Sequence, residues 1–363
     1  MTLDPCRFFS TDYDEARAKF LNAADARGLK RTAHLNPHAK GPKGEDLTID
    51  VAVLGPEDAK AGLLVISGTH GVEGYAGSGA QIGWLQATRN ASWSAEIKLV
   101  LVHALNPFGF AWNRRVNEEN VDLNRNFVDH GAAYPQNQAY ERLKAAIAPV
   151  DLKPETLDFA DHELRSYGKE HGVFALQQAI SQGQYAHPDG MYFGGNREQW
   201  SAGQILHIAR RELGRSQRIG IVDIHTGLGA YGHGEIITED EPSDPRYARS
   251  HRWWGDVRST RAGESVSAHV SGSIDSGLIS ALPHAEITIG GLEFGTDPTL
   301  DVFRALRSDN WLHVVGNPRG PEASPIKAEI RRAFYPDADD WKEMVWKRSE
   351  QVLSQAIEAL AGG

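Results

Sequence analysis

The chain has 363 residues, of which 40% are hydrophobic and 24% are charged. This balance excludes a disordered or collagen-like chain, and no apolar run approaches the roughly 18–20 residues that a membrane span needs. The net charge of −10 argues against nucleic acid and anionic membranes as main partners, and the single cysteine excludes an intramolecular disulfide. Because the first residues lack the apolar core of a signal peptide, we expect a cytoplasmic protein.

The first 45 residues predict a helix over 12–28, followed by a polar linker in which 37–43 are rich in proline, glycine and lysine. We expect this segment to pack on one domain that covers 46–363. There, short apolar runs predict strands, and a 3.6-residue period predicts helices. The predicted strands are 47–54, 63–66, 97–102, 219–224 and 286–292, and the predicted helices are 75–88, 137–147, 202–213, 300–315 and 339–361.

Alternating strands and helices of this kind are typical of an α/β fold. Several strands are continuously apolar, as expected for strands that are buried on both faces. We therefore predict a mixed, mostly parallel twisted sheet flanked by helices. Residues 150–200 show no strong period, and we interpret them as a long, loop-rich insertion over one face of the domain.

A histidine and a glutamate three positions apart follow the second predicted strand, in Ser67-Gly68-Thr69-His70-Gly71-Val72-Glu73-Gly74. Side chains at this spacing converge where a strand passes into a helix, and an imidazole with a carboxylate suits Zn²⁺. A polar loop is the alternative interpretation.

Asp223-Ile224-His225 follows a later strand. His225 would complete the three ligands of a catalytic zinc site, while Asp223 could bind its imidazole or face the substrate.

Residues 106–127 contain three arginines and six asparagines, interspersed with aromatic and aliphatic residues. A solvated polar loop is one interpretation. The apolar residues would instead anchor the loop inward, and its arginines would then recognise a carboxylate or a developing oxyanion.

Glu293 lies at the end of another apolar run and is flanked by glycines. It is a candidate general base, with helix capping as the alternative.

In this order, the four segments resemble those of the M14-type zinc carboxypeptidases and their succinylglutamate desuccinylase and aspartoacylase relatives. The segments 68–74, 103–107, 114–118 and 223–229 are most similar to the DUF2817 branch. The resemblance covers about residues 45–300. It implies a zinc carboxypeptidase-like fold with one Zn²⁺ per protomer, held by His70, Glu73 and His225.

The resemblance also implies roles for the polar side chains around the metal. Glu293 matches the general acid/base, and Asn124 with Arg125 matches the pair that binds the substrate's carboxylate. Arg115 matches the arginine that polarises the scissile carbonyl, although Arg114 competes for this role. The peptidases carry a tyrosine about twenty residues before the glutamate. No tyrosine lies there in this chain, and Tyr192, from the insertion, is the candidate substitute.

We therefore expect a zinc-dependent hydrolase that cleaves an amide bond, peptide or N-acyl, in a small molecule or short peptide with a free carboxylate. Water activated by zinc would attack, with Glu293 as general base. Because the peptidase tyrosine is missing, an N-acyl-amino-acid deacylase or an esterase is the alternative to a carboxypeptidase. A non-catalytic, zinc-binding ligand carrier is the alternative from another class. The acyl and amine groups of the substrate, its pathway and the oligomeric state are not evident from the sequence.

Overall fold

A mixed sheet of eight strands organises residues 4–362, the part of the chain that the computed structural model describes. Its strands are β1 (Lys30–Lys40), β2 (Asp46–Leu54), β3 (Ala61–Ser67), β4 (Ile97–His103), β5 (Arg218–Tyr231), β6 (Gly234–Thr238), β7 (Val257–Ser259) and β8 (Glu286–Gly295). They lie in the order β1-β2-β4-β3-β5-β8-β6-β7. The central strands β4, β3, β5 and β8 are parallel, while β1, β2 and β6 are antiparallel to their inner neighbours.

Helices cover both faces of this sheet. They are α1 (Tyr13–Arg27), α2 (Gly74–Ala87), α3 (Pro107–Ala111), α4 (Gln138–Ile147), α5 (Pro154–His171), α6 (Val173–Ser181), α7 (Trp200–Leu213), α8 (Pro245–Trp254), α9 (Ile274–Ala281), α10 (Thr299–Val314), α11 (Ala323–Phe334) and α12 (Asp339–Ala361). Short 3-10 turns span Pro5–Phe8, Gly71–Glu73 and Leu123–Arg125. None of these helices is long and apolar enough to cross a membrane.

Strand β3 shows why continuous apolar runs in the sequence predict the strands of this sheet. Leu63 and Val65 pack with α1, α2 and α12 on one face of the sheet, while Leu64 and Ile66 pack with α7 and α9 on the other. All four side chains are buried. Because both faces are covered, consecutive apolar residues replace the alternation of a half-buried strand. The prediction of a mixed, mostly parallel sheet between helices is confirmed.

Two predicted loop regions contain regular structure. The expected linker before residue 46 includes β1, a polar strand at the edge of the sheet that pairs with β2. An edge strand needs no apolar face, so its polarity resembles that of a linker. The expected loop-rich stretch 150–200 contains α5 and α6. Exposed apolar side chains, such as Phe159 and Phe174, obscured the helical period there. Residues 182–199 lack helices and extended strands.

The carboxyl ends of β3, β5 and β8 lie side by side, which is where α/β sheets place their sites. His70 and Glu73 follow β3 in the turn that leads into α2. Strand β5 continues to Tyr231 instead of ending near Ile224, so His225 lies within it. Glu293 of β8 pairs in register with His225. The sheet therefore brings these four side chains together from segments far apart in sequence.

Candidate active site

Two histidines and a glutamate converge beyond the end of β3. The Nδ1 atom of His70 lies 2.9 Å from Glu73 Oε1, His225 Nδ1 lies 3.0 Å from Glu73 Oε2, and the two Nδ1 atoms are 3.3 Å apart. All three side chains are buried. Ligand atoms at zinc bond lengths of about 2.0–2.1 Å in a tetrahedral site are roughly 3.4 Å apart. The spacing of the three donors is therefore close to that of a zinc site.

The outer nitrogen of each imidazole contacts a carboxylate. His70 Nε2 lies 3.2 Å from Asp122 Oδ1, and His225 Nε2 lies 2.8 Å from Asp223 Oδ2. In the neutral imidazoles whose Nε2–H donates to these carboxylates, each Nδ1 has a lone pair available to a metal ion. The two Nδ1 atoms lie 3.3 Å apart, and a cation between them would bind both lone pairs. This arrangement fits a metal ion, and Asp223 takes the first of its two predicted roles.

The charges around the triad favour the same conclusion. Burial by itself lowers the pKa of His225, but Asp223 and Glu73 outweigh it and raise that pKa well above 6.5. Burial likewise raises the pKa of Glu73, yet the neighbouring His70 and His225 hold it well below 4.5. The buried carboxylates therefore stabilise positive charge at the point where the three donors meet. Either a proton or a divalent cation can supply that charge.

Glu293 lies beside the triad on the neighbouring strand. Its Oε1 accepts a hydrogen bond from the backbone N–H of Leu228 at 3.0 Å, which fixes the carboxylate. Burial, and then the negative charge of Glu73, raise the pKa of Glu293 to about 8. A carboxyl group in such surroundings can exchange a proton near neutral pH. The hydrogen bond from Leu228 lies within the site and does not cap a helix. The contacts of Glu293 therefore do not support the alternative interpretation, in which this carboxylate caps a helix.

Arg115 is oriented by two carboxylates of the same site. Its Nε donates to Asp122 Oδ2 at 3.0 Å, and its Nη1 donates to Glu73 Oε1 at 3.3 Å. Asp122 thus joins the candidate metal ligand His70 to Arg115, a role that the sequence reasoning missed. Chemical reasoning could have indicated this role. A metal-binding histidine commonly donates to a carboxylate, and Asp122 lies in the same polar segment, 106–127, as Arg115.

The structure does not bring Arg114 into the cavity. Its Nε donates to Asp309 Oδ2 at 3.0 Å and its Nη2 donates to Asn120 Oδ1 at 2.9 Å. Lys327 also binds Asp309, and the side chains of Arg114 and Asp309 are both buried. Arg114 therefore anchors the loop to α10, and Arg115 is the arginine of the pair that faces the candidate site.

Arg125, Asn124 and Tyr192 all line the same cavity. Arg125 Nε and Nη2 donate to the carbonyl of Ser181, and Nη1 donates to the carbonyl of Asn124 at 2.7 Å. Three of its five N–H donors are used in this way, which leaves two. The Asn124 side chain accepts from the backbone N–H of Ile274. The ring of Tyr192 lies 5.3 Å from the guanidinium carbon of Arg115 and 5.7 Å from that of Arg125.

Most asparagines of the 106–127 segment hold the backbone in place. Asn106 caps α3, and Asn117 accepts from the backbone of Glu119 and Val121. Asn126 donates to two carbonyls of the 182–199 segment. The loop is thus neither solvated nor a uniform ligand-binding surface. Its apolar residues point inward as expected, and its amides satisfy the backbone groups that are buried with them.

The site opens into a cavity of about 700 Å³. Two further acids, Glu239 and Asp275, line it and were missed by the sequence reasoning. Burial raises the pKa of both carboxyl groups, and for Asp275 the neighbouring Glu239 adds to the effect. In the sequence, Asp275 has the pattern of an acidic residue at the start of a helix, and Glu239 belongs to an acidic run. Neither pattern distinguishes these acids from ordinary surface residues.

These features define an α/β protein with a candidate metal centre at the carboxyl edge of its sheet. The family described as a protein of unknown function, DUF2817, matches residues 9–348. The chain belongs to this family. No curated protein matches the sequence.

Several solved structures are similar. One, from Shewanella frigidimarina, is described as a putative succinylglutamate desuccinylase/aspartoacylase, with 13% identity, a TM-score of 0.37, and 73% of this chain and 64% of that chain covered. The carboxypeptidase A of Helicoverpa armigera has 14% identity and a TM-score of 0.43, with 89% and 74% covered. Bovine thrombin-activatable fibrinolysis inhibitor has 10% identity and a TM-score of 0.44, with 93% and 98% covered. The chain therefore spans less than two thirds of the first of these.

Proposed function

We propose that this protein is a zinc-dependent hydrolase that cleaves an amide bond in a small substrate with a free carboxylate. The observation that carries the proposal is the donor set of His70, Glu73 and His225, whose ligand atoms lie 2.9–3.3 Å apart beside Glu293 and Arg115. A divalent cation held there supplies an electrophile that polarises a carbonyl and lowers the pKa of bound water. The donors suit zinc, because imidazole and carboxylate are its common ligands in catalytic sites.

The remaining side chains have distinct roles in this reaction. Glu293 accepts a proton from the attacking water and passes it to the leaving nitrogen, as its fixed position beside His225 permits. Arg115 donates to the carbonyl oxygen as negative charge develops on it. Its guanidinium is already held by Asp122 and Glu73, so little reorganisation is needed during the reaction.

The substrate's carboxylate would bind Arg125. The two N–H donors that remain on this guanidinium can bind a carboxylate, and the ring of Tyr192 lies near both Arg125 and Arg115. Tyr192 would then close over the substrate in place of the missing peptidase tyrosine. A non-catalytic ligand carrier would need neither Glu293 beside the metal nor Arg115 at the carbonyl, so we favour the enzyme.

The metal assignment can be tested by elemental analysis of the purified protein. We expect about one zinc per chain in the wild type and most of it lost in His70→Ala. The matched control is His103→Ala. His103 is also buried, but it is hydrogen-bonded to Ser78 and is not one of the three candidate ligands. Wild-type zinc content in a folded His70→Ala protein would show that the ligands have been wrongly assigned.

Glu293→Gln separates catalysis from binding. The variant should retain zinc and lose turnover by about 10²–10⁴-fold, because general base catalysis is worth that much. Turnover of dipeptides and N-acyl amino acids, followed by mass spectrometry, measures it and also distinguishes a peptidase from a deacylase. A zinc-loaded Gln variant with a near-normal kcat would exclude Glu293 as the base.

A further inference from the structure

The cavity wall next to the candidate site is built from two helix faces. Helix α6 lines it with Val173, Leu176, Gln177 and Ile180, at the i, i+3, i+4 and i+7 positions of one face. Helix α10 lines it with Thr299, Val302, Phe303 and Leu306, which have the same spacing. Six of these eight side chains are aliphatic or aromatic. The two faces together form what we call the acyl channel.

The acyl channel leads from the reaction centre to solvent. At its inner end, Ser181 at the end of α6 binds Arg125, and Leu306 of α10 lies near Arg115 and Tyr192. At its outer end, Val173 and Leu300 are 79% and 53% exposed. Apolar side chains that are this exposed and line a cavity indicate a surface that a ligand covers. At a rise of 1.5 Å per residue, the α6 face is about 10 Å long, which matches an extended chain of roughly eight carbons.

Specific contacts hold the channel open. The side chain of Gln177 donates to the carbonyl of Val266 at 2.7 Å, and Gln178 donates to the carbonyl of His269 at 2.6 Å. These bonds fix α6 to the segment that forms the adjoining wall. Arg304 and Arg307 of α10 bind Asp161 of α5, which neutralises that acid at the channel wall. Arg165 also lines the cavity, and its side chain is exposed to solvent.

On the basis of the proposed function, we propose that the substrate is an N-acyl amino acid with an aliphatic acyl chain of about eight carbons. The amino acid's carboxylate binds Arg125, the scissile carbonyl lies at Arg115, and the chain runs outward between α6 and α10. Water adds to the carbonyl carbon, the C–N bond breaks, and the products are a fatty acid and a free amino acid. A short or charged acyl group leaves the apolar walls exposed or buries an unpaired charge.

The test compares acetyl-, butanoyl-, hexanoyl-, octanoyl- and succinyl-L-alanine with the zinc-loaded protein. We expect kcat/KM to rise roughly threefold for each added methylene up to octanoyl, because each buried methylene contributes to binding. Succinyl-L-alanine should be cleaved more slowly than its uncharged counterpart, butanoyl-L-alanine. Equal kcat/KM values across the series would overturn the acyl channel and leave amide hydrolysis intact.

Leu176→Asp places a charge in the middle of the channel, and Phe174→Asp is its matched control. Phe174 lies on the same helix, is 51% exposed and does not line the cavity. We expect the ratio of octanoyl to acetyl kcat/KM to fall at least tenfold in Leu176→Asp and to stay unchanged in Phe174→Asp. An equal fall in both variants would show that a general loss of α6 structure, and not the channel, determines the preference.

Calorimetry with acetate, hexanoate and octanoate separates this proposal from the hydrolase proposal. Octanoate that binds more tightly than acetate, and loses that advantage in Leu176→Asp, supports the channel even if no amide is cleaved. In that case only the hydrolase proposal fails. The absence of both hydrolysis and chain-length-dependent binding overturns the two proposals together.

Discussion

Arg114 and Arg115 are adjacent in sequence but belong to two regions of opposite character. Around Arg114, Asp309, Lys327 and Asn120 form a closed, buried network in which the charges bind one another. Around Arg115, Asp122 and Glu73 form a network that also includes the candidate metal ligands His70 and His225 and opens into the cavity. The same residue types thus stabilise the fold in one region and leave binding capacity for a ligand in the other.

The backbone explains how two neighbours diverge. The carbonyls of Arg114 and Arg115 accept hydrogen bonds from Val72 and Gly71, so this stretch pairs with the turn that carries Glu73. Asn113, immediately before it, has a positive φ of 49°, a conformation that asparagine tolerates better than most residues. The pairing directs one side chain towards α10 and the other towards the triad.

Within the two arginine networks, Arg115→Lys should have the largest effect. Lysine keeps the positive charge near Asp122 and Glu73 but loses the planar fork, so we expect kcat to fall about 10²–10³-fold, as on removal of one oxyanion donor. The unfolding free energy should change little. Steady-state kinetics and urea denaturation measure the two effects. A normal kcat would place carbonyl polarisation on another group.

Arg114→Met is the complementary experiment. It leaves a buried carboxylate with one partner fewer, and we expect the unfolding free energy to fall by about 3 kcal/mol, near the low end for broken buried pairs because Lys327 remains. The kcat of the folded fraction should be unchanged. A loss of kcat without loss of stability would exchange the roles of the two arginines.

Masking the substrate's carboxylate tests Arg125. Conversion of the free acid to a methyl ester or primary amide should lower kcat/KM about 100-fold, since a charged group is left without its partner. Arg125→Lys should recover only part of the activity lost in Arg125→Ala. Equal kcat/KM values for acid, amide and ester would mean that Arg125 only holds the loop to Ser181.

The pH dependence of stability at Asp309 is the smallest effect that we expect from the closed network. Burial by itself raises the pKa of Asp309, but Lys327 and Arg114 outweigh it and hold that pKa below 3.8. Its stabilisation is therefore present above the unfolded-state pKa of about 3.9 and is lost as pH falls through the folded-state value. Asp309→Asn leaves Arg114 and Lys327 without their shared carboxylate, so it should cost about 3–5 kcal/mol at pH 7 and progressively less below about pH 4. Denaturation curves at several pH values would contradict this if the cost were independent of pH.

The contrast also shows which parts of the site could be predicted from the sequence. His70 and Glu73 are three residues apart, and Asp223 and His225 are two apart on one strand, so local geometry sets which of them share a direction. The buried strands were recognisable because both faces of the sheet are covered. Glu293 also follows from its place in an apolar strand. These are short-range patterns, and the structure brings the same residues together.

Other features depend on contacts between distant segments. Nothing local distinguishes Arg114 from Arg115, because the choice depends on Asp309, nearly two hundred residues later. Tyr192 reaches the two arginines only because backbone hydrogen bonds hold the 182–199 segment beside Asp122. The sequence by itself determined the buried strands and the convergence of the candidate metal ligands His70 and Glu73, since each rests on spacing along one element. Only the tertiary structure decided which charged side chains form buried ion pairs and which face the cavity. The partner of a charged side chain depends on the packing of distant segments and not on its neighbours in the chain.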